Sequence, residues 1–274
     1  MTIDDTMPTV KKHWERIGLG KAILDDLSSL GKDLDSLTTD DLAPYDQFHG
    51  GGKEMTLRLA RDASLQPGMR VLDVGGGLGG PARTLAIEYG CHVTVADLTE
   101  SYLEAGRMLT ERLNLTSQVE FVLSDALELP FNGESFDVVW TQNGCMNIRD
   151  KHRLYCEFRR VLTPDGLLLF QEPMAGAVQP PIYPLMWAPD ASTNFLLTSD
   201  EMKRVIESAG FVVHDWQDLT GELVKLRTGS ESTSHNIQAM VMGARLDQIR
   251  RASKRNIEEH RTIMVQGAAR RTTP

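Results

Sequence analysis

The sequence predicts an α/β fold, a mostly parallel sheet with helices on both faces, entered through an N-terminal helical cap. Three observations carry this. From Arg70 onward, short β-branched or apolar runs alternate with amphipathic stretches, the pattern of repeated βα units. The first of these runs, VLDVGGGLGG over 71–80, closes on Asp73 and passes into a loop almost free of side chains. Such a loop reads as a buried strand turning into a helix, its N–H groups bared toward a ligand. Residues 10–64 lack strand alternation and instead repeat Leu24, Leu27 and Leu30 at roughly helical spacing, which predicts the cap.

Within the cap, Pro44 and the run Gly50 to Gly52 are expected to interrupt regular structure, with a helix resuming over KEMTLRLARDA. Gln66-Pro67-Gly68 ends the segment, so residues 1–66 form the cap and lid and 67–274 the sheet domain. Strands are predicted at 70–74, 92–97, 119–123, 136–141, 166–172 and 211–216, and RTIMVQGAA supplies a seventh. Helices fill 79–89, 100–113, 151–162 and 199–209, the last capped by Thr198 or Ser199. A Gly, Ser and Thr-rich loop at 228–235 leads to a long helical stretch, 240–260. Between the fifth strand and the next helix, near 174–198, lies the Pro and aromatic-rich insert EPMAGAVQPPIYPLMWAPDASTNF. A loop this long commonly forms a pocket wall or lid.

Composition narrows the partners. The chain has 274 residues, 41% hydrophobic and 24% charged, which is enough for a large core. A net charge of -9 and a pI near 5.3 exclude a general polyanion binder, so no nucleic acid partner is expected. Cys91, Cys145 and Cys156 are too few and scattered for a disulfide framework or a zinc site, so no metal is expected and a reducing cytoplasm fits. The N-terminus has no apolar h-region and no stretch approaches a bilayer span, which points to a cytoplasmic protein without a membrane partner.

The glycine loop does not by itself name its ligand, because Gly75, Gly77 and Gly80 satisfy the dinucleotide-binding spacing literally. Asp97 closes the second strand roughly 20 residues later, where a carboxylate accepts from both ribose hydroxyls. That suits NAD or S-adenosylmethionine and disfavours NADP, whose 2′-phosphate would meet the carboxylate. Asp125, in SDALELPF after the third strand, is placed to accept from an adenine amino group, with Leu127 and Leu129 near the ring.

The ordered set VLDVGGGLGG, VTVADLTE, SDALELPF, FDVVW and RRVLTPDGLLLFQE resembles the class I S-adenosylmethionine-dependent methyltransferases, and the resemblance spans most of the chain. It implies a Rossmann-like seven-stranded sheet. It also implies Asp73, Gly75 and Gly77 around the methionine and ribose, Asp97 and Leu98 at the ribose, and Asp125 with Ala126 at the adenine. Pro164-Asp165-Gly166 stands where most relatives have Pro-Gly-Gly, a change a type I or II turn tolerates. The segment DQFHGGG is similar to small-molecule methyltransferases, among them the sarcosine and dimethylglycine N-methyltransferases and the tocopherol-methyltransferase-like enzymes. By that likeness Tyr45, Gln47, Phe48 and His49 form a lid over the cofactor; Gln142, in the loop after the fourth strand on the carboxyl-end rim, is a further cofactor candidate. The alternative is that Phe48 is core and His49 caps a turn.

Methyl transfer from a sulfonium is an in-line displacement on an activated electrophile, so the protein mainly aligns the nucleophile and excludes water. A phenol or acidic carbon also needs a base, and His49, in the proposed lid, is the candidate catalytic residue. Asn143, Met146, Asn147, Glu172, Tyr183 and Trp187 are candidates for the small-molecule acceptor, on the carboxyl-end rim or in the insert. The two aromatics of the insert could instead only pin it to the sheet. Arg149 and Lys151 either bind a substrate carboxylate or are solvated. The implied reaction transfers a methyl group to nitrogen, oxygen or carbon of a small metabolite. An NAD-dependent oxidoreductase is the second class, weakened by the missing Tyr-x-x-x-Lys pair, and a non-catalytic cofactor-binding protein is the third. Self-association into a homo-oligomer stays open.

Overall fold

A computed structural model of the chain describes residues 6–229 and 235–272. Seven strands form one sheet: β1 (Arg70–Val74), β2 (His92–Asp97), β3 (Val119–Leu123), β4 (Phe136–Gln142), β5 (Leu162–Ala175), β6 (Phe211–Asp218) and β7 (Thr262–Arg271). Their order is β3-β2-β1-β4-β5-β7-β6. The first five are parallel, and β7 runs antiparallel between β5 and β6. The strand order reverses at β1 and β4, so the crevice beyond their carboxyl ends is where such a sheet binds ligands.

Period-two alternation splits β1 between two cores. Leu72 and Val74 join Val139, Leu168 and Phe170 on one face. Val71 packs on the other face with Val93, Val95, Val138 and Trp140. Helices α5 (Gly80–Tyr89) and α6 (Glu100–Arg112) cover the second face, and α7 (Lys151–Val161) and α8 (Ser199–Ser208) the first. Of the two predicted caps, Thr198 starts α8, in a capping box with Glu201.

The cap comprises α1 (Met7–Trp14), α2 (Leu19–Ser29), α3 (Thr39–Asp46) and α4 (Gly52–Asp62). Leu24 and Leu27 are buried, but Leu30 is 62% exposed because α2 has ended before it. Pro44 lies inside α3 rather than breaking it, since a Thr38/Asp41 capping box anchors the helix and Leu42 and Tyr45 bury its inner face. The cap core is completed from far along the chain by Ile237, Val241, Leu246 and Ile249.

Three further expectations need correction. The stretch 240–260 is two helices, α10 (His235–Met242) and α11 (Leu246–Glu258), because Gly243 takes φ +54° and breaks the turn between them. Helix α9 (Thr220–Gly229) occupies the start of the segment read as a 228–235 loop, and 230–234 lie outside the described residues. Strand β5 begins at Leu162, paired with Phe136, before Pro164-Asp165-Gly166 bulges out and the ladder resumes at Val138 with Leu167. Asp165 carries the turn at φ +61°, a conformation Asp tolerates better than most side chains. Among the described residues no helix is long and apolar enough to cross a membrane.

Candidate functional site

A cavity of about 220 Å³ opens over the carboxyl ends of β1, β2 and β4. Its floor is the glycine loop, Asp97 to Thr99 and Ser124 to Leu127; its roof is α1, Asp46, Phe48 and His49 of the cap, and α10. The predicted residues Phe48, His49, Asp73, Gly75, Gly77, Asp97, Leu98, Asp125, Ala126, Gln142, Asn143, Met146, Asn147 and Trp187 all line it. Tyr45, Gln47, Glu172 and Tyr183 do not.

The floor is built by close backbone approaches. A Cβ on Gly75, at φ +71°, would stand 2.7 Å from the Cα of Gly144 in the loop after β4. On Gly80 it would stand 2.3 Å from the carbonyl oxygen of Asp46. These glycines therefore seat the post-β4 loop and the cap directly on the loop after β1. Gly77 donates its N–H to Asp97 Oδ2 at 3.0 Å, and Thr99 donates to Asp97 Oδ1 at 2.8 Å. Burial raises the Asp97 carboxyl, partly offset by these bonds. Burial, with Asp97 nearby, lifts Asp73 to about 8. Asp73 Oδ2, Ser124 Oγ and Asn143 Oδ1 are buried in the cavity wall without a protein partner. Asp125 accepts from the Leu127 N–H at 2.9 Å, which closes the turn after β3.

A second group of polar side chains ties the cap to β4 and β5. His49 Nε2 lies 2.9 Å from Gln47 Oε1 and 3.1 Å from the Thr56 hydroxyl oxygen. Both can accept, and these shorter contacts favour a neutral ring with its proton on Nε2 and a lone pair on Nδ1. Gln142 Nε2 and the Gly50 carbonyl oxygen each approach Nδ1 only to 3.4 Å. The Gln142 amide donates to Gln171 Oε1 at 3.0 Å and its oxygen accepts from the Trp140 indole at 3.0 Å. Gln47 also donates to Thr84 at 3.0 Å. Desolvation holds His49 down at about 4, so it is uncharged at neutral pH. Gln47 thus fixes His49 rather than facing the cavity itself.

Other predicted residues act as pins. Asn147 accepts from the Trp14 indole at 3.1 Å and donates to the carbonyls of Trp187 and Thr193 at 3.0 and 2.7 Å, joining α1 to the insert. Trp187 donates to Asn194, which donates to the Tyr183 hydroxyl; Tyr183 therefore braces the insert. Tyr45 sits in the cap core and donates to Asp26 at 2.5 Å. Glu172 accepts from the Thr141 hydroxyl at 2.7 Å and from the N–H groups of Gly144 and Cys145, so it shapes the post-β4 loop from behind. Lys151 is buried, donating to the carbonyls of Cys145 and Ile148, with its ammonium lowered by desolvation to about 8. Arg149 lies 4.4 Å over the Phe195 ring.

Sequence reasoning missed Trp14, Asp46, Ser124 and Tyr102 in the cavity wall, and it missed Arg83 behind it. Arg83 donates to Asp46 Oδ2 at 2.8 Å, to the Leu78 carbonyl at 2.7 Å and to Thr110 at 2.8 Å. Its place in the otherwise apolar GPARTLAI was the available signal, because a lone cation amid buried neighbours requires a buried partner. Among the described lining residues the acidic side chains are Asp46, Asp73, Asp97 and Asp125, and there is no Lys or Arg.

Comparison with known proteins gives a consistent picture. The family described as "Methyltransferase domain" matches residues 72–170. The chain is 36% identical over 132 residues to the glycine/sarcosine/dimethylglycine N-methyltransferase of Actinopolyspora halophila, a match covering 48% of this chain and 23% of that protein. It is 30% identical over 201 residues to the demethylmenaquinone methyltransferase of Clavibacter sepedonicus, covering 65% of this chain and 80% of that one. The match thus spans under a quarter of the first relative and four-fifths of the second. Among solved structures, phosphoethanolamine N-methyltransferase 2 of Haemonchus contortus in complex with S-adenosyl-L-methionine shares the fold. Its TM-score is 0.68 at 22% identity, over 86% of this chain and 58% of that one.

Proposed function

Because this chain belongs to the class I S-adenosylmethionine-dependent methyltransferases, we propose that it methylates a nitrogen, oxygen or carbon of a small-molecule acceptor by in-line displacement. One observation carries the reading: the glycine loop, Asp97 and Asp125 converge on a capped cavity whose wall holds the orphaned oxygens of Asp73, Ser124 and Asn143. The cofactor supplies a methyl group already activated on a sulfonium. Asp97 would accept from its ribose hydroxyls and Asp125 from its adenine amino group, while Asp73 and Asn143 offer acceptors to a cationic head. The cap, residues 1–66, with α10 and α11 beside it, excludes water from the reaction. His49, neutral with a lone pair on Nδ1, is the group that takes the acceptor's proton; Gln47 and Thr56 hold its ring. The named relatives act on small metabolites, glycine and its methylated forms in one case and demethylmenaquinone in another, which supports a small-molecule acceptor. The three free cysteines suit a reducing compartment, the cytoplasm.

Calorimetric titration with S-adenosylmethionine, S-adenosylhomocysteine and NAD tests the assignment. Both adenosyl compounds are expected to bind and NAD not to. Asp97→Ala should weaken their binding by about 10- to 100-fold, the worth of a charge-assisted hydrogen bond to ribose. NAD binding with no response to either adenosyl compound overturns the reading.

A further inference from the structure

The acceptor half of the cavity has a composition that selects by charge. Beside the glycine loop and the strand ends its lining includes Met7, Val10, Trp14, Phe48, Met186 and Trp187, with the polar side chains of His49, Asn143 and Asn147, so it offers mainly thioethers, aliphatic groups and aromatic faces. The polar edges of these aromatics are already bonded: the Trp14 indole N–H to Asn147 and that of Trp187 to Asn194. His13, next to Trp14, has its ring nitrogen on the Met186 carbonyl. Four cations on the surrounding elements are likewise engaged, and Lys11, Lys12 and Arg245 do not line the cavity. Arg83 is held by Asp46, Lys151 by two loop carbonyls, Arg149 covers Phe195, and Arg16 bonds the Val241 and Glu15 carbonyls. No described Lys or Arg side chain lines the cavity, while four aspartates do. An anionic group brought in here would lose its hydration and find no counter-charge from the protein wall.

We infer that the acceptor is an uncharged, flat, apolar molecule seated against the Trp14 and Trp187 side of the cavity, and that carboxylate- and phosphate-bearing acceptors are rejected. The inference rests on the methyltransferase reading and narrows its substrate class. The discriminating probes are 2-naphthol and 2-naphthoate, which share a ring system and differ in charge at neutral pH. Each is titrated calorimetrically into the full chain saturated with S-adenosylhomocysteine. We expect 2-naphthol to bind at least about tenfold more tightly. Val10→Arg, which places a cation in this wall, should shift the preference toward 2-naphthoate by at least about tenfold while S-adenosylhomocysteine affinity and melting temperature hold. Equal or tighter binding of 2-naphthoate by the unaltered protein overturns the inference, as does failure of both probes to bind at millimolar concentration. Failure of S-adenosylhomocysteine itself to bind is a different result: it removes the methyltransferase reading and this inference with it.

Discussion

Arg83→Leu should unfasten the cap from the glycine loop, and its effect can be worked from the ion pair it breaks. The Arg83 side chain is 0% exposed and that of Asp46 2%. Asp46 Oδ1 already lacks a partner and burial already raises its carboxyl, with Arg83 opposing. Removing the guanidinium leaves a buried carboxylate uncompensated, which costs about 3–5 kcal/mol. At about 2–4 °C per kcal/mol for a chain of this size, the melting temperature should fall by about 6–20 °C. The pH dependence has a definite sign. Asp46 already titrates above the unfolded value of about 4 in the folded state, and it titrates higher still in the variant. Its proton therefore favours the folded form, and that contribution is lost as pH rises through the folded-state pKa. The deficit of Arg83→Leu relative to the unaltered protein should thus be small near about pH 4 and largest near about pH 8. The double variant Asp46→Leu/Arg83→Leu should recover most of the loss, because no charge is left buried. Denaturant melts of the four proteins at both pH values give the cycle. A penalty below about 1 kcal/mol, or one equal at the two pH values, would refute the claim that the buried Asp46 charge governs this joint.

His49→Asn should lower kcat by about 10²–10⁴ with cofactor affinity within about twofold of the unaltered protein. Since His49 is held near 4, the unaltered enzyme should show no acid limb near the ordinary histidine range of about 6–7 in a kcat profile; a limb there that vanishes in His49→Asn contradicts the neutral-ring assignment. A cationic cofactor beside Asp73, which titrates at about 8 when the cavity is empty of it, should drive off the carboxyl proton. Binding at pH 7 should then release protons and tighten as pH rises toward about 8. Calorimetry in buffers of different ionisation enthalpy measures this, and proton uptake, or a release that survives in Asp73→Asn, removes Asp73 from the cofactor site. Gly75→Ala should destabilise by about 2–5 kcal/mol through its clash with Gly144 and its positive φ, whereas Gly77→Ala, whose added Cβ would make only an ordinary contact with the Tyr102 ring at 3.5 Å, should lose only about 1–2 kcal/mol. Equal losses in thermal melts would contradict the packing assigned to Gly75.

Much of the fold was legible because alternation and helical spacing are local signals. Each of the seven strands lies at its predicted place to within a few residues, and Asp97 and Asp125 stand at strand ends beside the cavity. What escaped was non-local. Glu172 and Tyr183 carry residue types that suit a substrate site, yet their polar atoms are engaged by Thr141, the Gly144 and Cys145 N–H groups, and Asn194. Lys151 opens a helix and reads as solvated, but two loop carbonyls draw it inside. Gln47 acts through His49, and Trp14 enters the cavity wall only because Asn147, 133 positions later, accepts its N–H. No spacing rule encodes such pairings, since each depends on which loops the sheet topology brings together.

The glycine loop shows why a literal motif can be right about the fold and silent about the ligand. Gly75 yields room to Gly144 and Gly80 to the Asp46 backbone, so two of the three glycines that satisfy the dinucleotide spacing are required by this protein's own chain. The third, Gly77, uses its N–H on Asp97, the residue proposed for the ribose. A pyrophosphate would need those N–H groups and would tolerate few acids nearby, whereas Asp73 and Asp97 stand directly behind the loop and Asp46 directly over it. That surrounding, four acidic side chains and no cation among the described lining residues, suits a ligand that arrives positively charged. The specificity of the cradle therefore lies in the acids and apolar walls around the glycines, and placing one cation at Val10 is the change that should alter what it accepts.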